Sequence, residues 1–226
     1  FIGILLGIGC IRFKESLPAE KRSKTGVWAT FRSFGIIVHN RRYMLYVFQL
    51  AFAQGILFAY IASSPFIIQQ HYGFSPFAFS ICFAVNAVAI GVAAALSVKF
   101  RRTENGTLTG CVGMLVFAVL QMAALYSGCG FWTYELLMFA LLFMMGLTFT
   151  ASTTLAMDCE RRYAGAASAL LGALCFASGG IVSPLVGLGD ILISTGVTFV
   201  ICAVCSLLCA LWAVKRTGPK VALCRI

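Results

Sequence analysis

Phe77–Val98 reads FAFSICFAVNAVAIGVAAALSV, 22 residues without a charge, and Lys99-Phe100-Arg101-Arg102 follows directly. A helix that crosses a bilayer needs about 20 predominantly apolar residues. The stretch is therefore long enough to span, and the basic cluster behind it marks where it stops. The same pattern recurs along the chain. Six stretches qualify, roughly 43–70, 77–98, 107–127, 134–157, 165–188 and 193–214, and none has Asp, Glu, Lys or Arg in its central part. Short links separate them: His71 to Pro76, Lys99 to Gly106, Gly128 to Thr133, Asp158 to Ala164, and the region around Gly189-Asp190. Links this short force neighbouring helices to run antiparallel.

Composition points the same way. Of 226 residues, 61% are hydrophobic and 11% charged, with a mean hydropathy of +0.95. Soluble domains carry about 25% charged residues and about half apolar ones. The excess apolar surface must face lipid, so the expected fold class is all-α: a polytopic membrane protein of six transmembrane helices.

The formal charge of +10 raises the question of a nucleic-acid partner, and the positions of the basic residues answer it. Eight lie before the first span (Arg12, Lys14, Lys21, Arg22, Lys24, Arg32, Arg41, Arg42) and three after the second (Lys99, Arg101, Arg102). Two follow the fourth (Arg161, Arg162) and four follow the sixth (Lys215, Arg216, Lys220, Arg225), which accounts for all 17. If the helices alternate, every one falls on the same side, with Glu135 and Asp190 the charges opposite. Cytoplasmic loops collect Lys and Arg. Both ends of the segment are therefore expected in the cytoplasm, and no nucleic-acid partner is expected.

Phe1 to Ile11 is apolar, and positive charge follows it instead of preceding it. This is not the order of a signal peptide. It reads as the tail of a helix, and the sequence is expected to be truncated at its N-terminus. The expected organisation is a helix end at 1–11, a cytoplasmic link at 12–42, a six-helix bundle at 43–214 and a cytoplasmic tail at 215–226.

No enzyme signature is present, and no cofactor is expected. His39 and His71 are the two histidines. They fall on opposite sides of the membrane, so no His-based metal site or triad can be assembled. No Gly-rich phosphate loop with its Lys occurs. Cys202 and Cys205 have metal-type spacing but no His or acid near them. Most of the ten cysteines, Cys82, Cys111 and Cys175 included, lie in apolar runs, where cysteine packs as a small hydrophobe.

Polar side chains inside a span face neighbours or a cavity. The first span carries Gln49, Gln54, Tyr60, Ser63 and Ser64. Gln54, Phe58, Ala62 and Pro65 share one helical face, and Pro65 removes a backbone hydrogen bond. This face either contacts a ligand or bonds neighbouring helices. Asn86 is the amide of the second span. Thr148 to Thr154 supply hydroxyls that can bond their own helix backbone. In the fifth span Gly165, Ala169, Ala173 and Ala177 form a ridge of small residues suited to close helix contact. Gly179-Gly180 and Pro184 are expected to loosen its outer end. The third and sixth spans are expected to be peripheral and lipid-facing. Gly106-x-x-x-Gly110, straddling a loop end, hints at dimerisation.

Lys14-Glu15-Ser16-Leu17-Pro18 resembles the end of the sixth helix in drug–proton antiporters of the major facilitator superfamily. Phe58 to Phe66, with Tyr72-Gly73-Phe74-Ser75-Pro76, resembles the seventh helix and following loop of the Bcr/CflA branch. Ala164 to Gly172, with Ser183-Pro184-Leu185, resembles that branch's eleventh-helix motif. There are departures: Cys175 stands before Phe176 where the branch commonly has glutamine, and Thr150-Ala151 stands near an expected Pro-Asn. The resemblance implies the C-terminal half (helices seven to twelve) of a twelve-helix fold, with substrate held between two halves. It also implies proton-coupled efflux of small amphipathic drug-like molecules, with the acidic proton carriers in an absent N-terminal half. Gln54, Phe58, Tyr60, Asn86, Cys175 and Phe176 are the expected substrate contacts. Export of an amino acid or sugar metabolite on the same fold, or an inactive six-helix scaffold, are the alternatives.

Overall fold

The computed structural model of the chain describes residues 2–12 and 34–215. The Lys14–Pro18 motif, most of the first basic link and the tail after Lys215 lie outside the described residues. Helix α1 is Ile2–Arg12. Six long helices follow: α2 Arg41–Pro65, α3 Pro76–Ser97, α4 Thr103–Tyr126, α5 Phe131–Cys159, α6 Ala164–Val186 and α7 Ile191–Lys215. All six are long and apolar enough to cross a membrane, and no strand occurs among the described residues.

The polar links become caps and turns. The Asn40 side chain accepts from the Arg42 and Tyr43 amides at 3.2 Å, opening α2. Ser75 accepts from the Ala78 amide at 3.2 Å, with Pro76 as the first residue of α3, where its missing N–H costs nothing. Asp190 caps α7 through the Leu192 amide at 2.8 Å. Gly73 (φ 74°) and Gly128 (φ 67°) adopt the left-handed turns that close two of the links. Pro65 does not end the first span. The helix widens into a π-helical turn, Phe66–His71, which Tyr72 closes by donating its N–H to the Ile67 carbonyl at 3.0 Å.

The basic ends of the helices meet. Asn40 Nδ2 donates to Glu160 Oε1 at 2.6 Å, Tyr43 Oη to the Ala167 carbonyl at 2.6 Å, and Thr107 and Ser152 share a hydrogen bond at 3.1 Å. A buried cluster of Ile37, Tyr43, Tyr46, Leu155, Leu171, Cys175 and Ala213 ties α2, α5, α6 and α7 together there. At the opposite end Tyr72 packs on Phe131 and Tyr134 and donates to the Cys129 carbonyl at 3.0 Å. Burial, and then the bonding to Cys129, raises the Tyr72 phenol above the ordinary tyrosine value, so it stays a neutral donor.

Helices α2, α5, α4 and α7 form a closed ring; α3 is attached mainly through α5, and α6 mainly through α2. Close backbone approach makes this possible. A methyl group on Gly146 of α5 would lie 2.6 Å from the Ile90 carbonyl of α3, and Gly106 and Gly110 of α4 face Ala151 and Thr148 of α5. Gly106 and Gly110 therefore do not straddle a loop end, nor do they present a face for a second copy. The helix begins at Thr103, and both glycines are used inside the bundle.

Burial within this body differs from span to span. The helices most open in this body are the second and fifth spans, α3 and α6, with 17% and 22% of their apolar windows buried against 56% for α2 and 50% for α5. The third and sixth spans, α4 and α7, pack on one another. The ridge of Gly165, Ala169, Ala173 and Ala177 is exposed, while α6 joins the bundle through Ala167, Leu171, Cys175, Gly179 and Val182. Polarity separates wet from dry faces. It does not separate a face against lipid from a face against protein, because both are apolar.

Candidate substrate-facing site

Helix α2 is the axis of the site, and its two glutamines play different parts. Gln49 is fully buried, and its Nε2 donates to Ser206 Oγ of α7 at 3.2 Å and to Cys111 Sγ of α4 at 3.5 Å; Ser206 Oγ donates back to the Gln49 carbonyl at 3.1 Å. It pins three helices. Gln54, five residues on, lies on the half-buried side of α2, and its Oε1 is buried without a partner.

The expected contact residues fall into two groups. Gln54 and Phe58 share the face of α2 that meets α6. Phe58 packs on Phe176 with ring centroids 5.9 Å apart, and Gly179 leaves the space that the Phe58 ring enters. Gly179 thus seats an aromatic ring. Phe176 is 71% exposed. Its neighbour Cys175 turns the other way, into the buried cluster at the basic end, so the structure does not bring it together with the others.

Tyr60 and Asn86 form the second group, joining α2 to α3. Both are 1% exposed. Asn86 Nδ2 donates to Tyr60 Oη at 3.1 Å and to Glu135 Oε1 of α5 at 2.8 Å. The Phe83 ring stacks on Tyr60, nearly parallel, with centroids 5.9 Å apart. Between the two groups Ile61 is left exposed on α2. Aromatic surface with a few oriented amides is the usual composition of a small-molecule pocket.

Glu135 was not among the expected site residues. Counting charges by link put it with Asp190 at the helix ends. In the structure α5 begins at Phe131, which places Glu135 in the second turn of the helix. There its side chain reaches inward to Asn86. The signal was available: an acid five residues beyond the cap residue Gly130 is already committed to a helix face.

Residues 1–184 match the family described as Major Facilitator Superfamily. An uncharacterized MFS-type transporter of Bacillus subtilis (strain 168), YdgK, is 36% identical over 194 residues, which is 84% of this chain and 48% of the relative. The chain thus spans about half the length of the curated relative it matches. With six spanning helices and a family match over most of its length, the chain is a multi-pass membrane protein belonging to the Major Facilitator Superfamily.

Proposed function

We propose that the chain is the C-terminal half of a proton-coupled multidrug efflux transporter of the Bcr/CflA type. It works by alternating access in a bacterial inner membrane, with the basic links in the cytoplasm. The observation that carries this reading is the half-open face of α2, where Gln54 Oε1 has no partner and Phe58 and Phe176 present aromatic surface. A substrate with an apolar body and a few polar groups suits such a face. Rings adapt to varied shapes, and an unpaired amide gains a hydrogen bond when a ligand supplies the donor. The open faces of α3 and α6 would meet an N-terminal six-helix half, with the substrate between the two halves.

In the full-length transporter, Gln54→Leu and Phe58→Ala should alter drug susceptibility while membrane abundance stays at the parental level. Unchanged resistance to every compound tested in both variants would remove this face from the substrate path. A resistance profile confined to a single amino acid or sugar derivative would favour metabolite export on the same scaffold.

A further inference from the structure

The Asn86–Glu135 pair has an unsatisfied half. Both amide hydrogens of Asn86 are engaged, one by Tyr60 Oη and one by Glu135 Oε1. The remaining atoms of the pair, Asn86 Oδ1 and Glu135 Oε2, are buried, and neither has a hydrogen-bond partner. An amide oxygen and an ionised carboxylate oxygen are both acceptors only. The two groups that the Asn86–Glu135 hydrogen bond joins thus each keep a buried acceptor, and what they lack is a hydrogen to donate. A carboxylic acid and a primary amide close a two-hydrogen-bond ring once that hydrogen is present: the amide N–H donates to the carboxyl oxygen, and the acid O–H donates to the amide oxygen. One arm of such a ring, at 2.8 Å, is already formed.

Among the described residues no Lys or Arg faces Glu135 in place of a proton. The titratable groups that face Glu135 are Tyr60 on α2, Cys82 on α3 and Tyr134 beside it on α5, with Tyr72 of the α2–α3 link packed on Tyr134. His71 stands edge-on against Tyr72. The described Lys and Arg side chains belong to links at the other end of the bundle. A carboxylate within a membrane span and without a cationic partner is costly, and such residues mark ion and proton paths. Glu135 is partly exposed as a residue and lies in the second turn of α5, at the end of the bundle opposite the basic links.

We infer that Glu135, held by Asn86 and Tyr60, is a proton-binding site within this half of the transporter. The carboxylate takes up one proton at Oε2, and the resulting O–H donates to Asn86 Oδ1; release reverses both. The site deepens the transport reading and rests on it only for the purpose the proton serves. It also departs from the expectation that every proton carrier lies in the other half.

Acid-minus-base infrared difference spectra of the full-length protein in lipid test the site without any substrate. The parental protein should show the C=O stretch of a protonated carboxylic acid rising in acid, and Glu135→Gln should lose the component of that band that belongs to Glu135 while any other carboxyl keeps its own. Should that variant fail to accumulate, the parental protein decides by itself: dicyclohexylcarbodiimide, which attacks protonated carboxyls in apolar surroundings, should label Glu135, less so as pH rises. A C=O band that Glu135→Gln leaves unchanged, or labelling of Glu135 that is absent or independent of pH, overturns the inference. If that component is lost as expected yet no drug moves in transport assays, the proton site stands and the efflux reading falls. If drugs are pumped while the band is unchanged in Glu135→Gln, the efflux reading stands and the proton site falls.

Discussion

A methyl group on Gly110 would run into the Thr148 hydroxyl and lie 2.9 Å from the Met144 carbonyl, whereas one on Gly165 meets nothing within 4 Å. The two glycines therefore answer the same substitution in opposite ways. Gly110→Ala forces α4 off α5 and should cost about 1–3 kcal/mol, the usual range for overpacking. Gly165→Ala fills empty space and raises helix propensity, worth up to about 1 kcal/mol. Thermal midpoints of the purified full-length protein in detergent would check this: lowered for Gly110→Ala, unchanged or raised for Gly165→Ala. Equal midpoints would mean that α4 and α5 are not in this close contact. The sequence displays both glycines alike, because what distinguishes them is the neighbour across the interface. The same holds for Gln49 and Gln54. Each is visible as an amide in an apolar run, but which one is consumed by Ser206 and Cys111 depends on the rotation of α2. Asn86 and Tyr60 could be named from sequence as polar groups needing partners. Glu135, the partner that completes them, was obscured by its nearness to a helix end.

At the scale of the element, the six spans and their order were readable from apolar length and basic punctuation alone. Their limits shifted by a few residues, as at Thr103, whose polar first turn is already helical. The faces were harder to read. Helix α6 carries small residues on several sides, and the side that joins this bundle includes Ala167, whose carbonyl accepts from Tyr43 and whose side chain is fully buried. The ridge through Ala173 is exposed, and on the proposed reading it meets the N-terminal half. Ala167→Leu should overpack the cluster around Tyr43 and reduce membrane abundance, costing about 1–3 kcal/mol. Ala173→Leu should leave abundance and thermal midpoint unchanged while lowering transport by the full-length protein. Abundance measured on immunoblots beside uptake assays separates the two effects. If Ala173→Leu lowers abundance as much as Ala167→Leu, the two faces of α6 are not distinguished in the way proposed.

Over the whole molecule the dominant feature is electrical asymmetry. The described basic side chains, Arg41, Arg42, Lys99, Arg101, Arg102, Arg161, Arg162 and Lys215, all belong to one end of the bundle. The other end is closed by aromatic contacts among Tyr72, Phe74 and Phe131 and by the Asp190 cap. Basic loops resist translocation, so this asymmetry should fix which end stays in the cytoplasm and, with it, the side from which Glu135 and the α2 face exchange their ligands. Substituted-cysteine labelling in intact cells tests this most directly. With Cys129 replaced by serine, an impermeant maleimide should reach Ser75→Cys and Gly130→Cys from outside, and should reach Thr103→Cys and Arg162→Cys only after the cells are opened. Labelling of Thr103→Cys or Arg162→Cys in unopened cells, with Ser75→Cys and Gly130→Cys protected, would contradict the account.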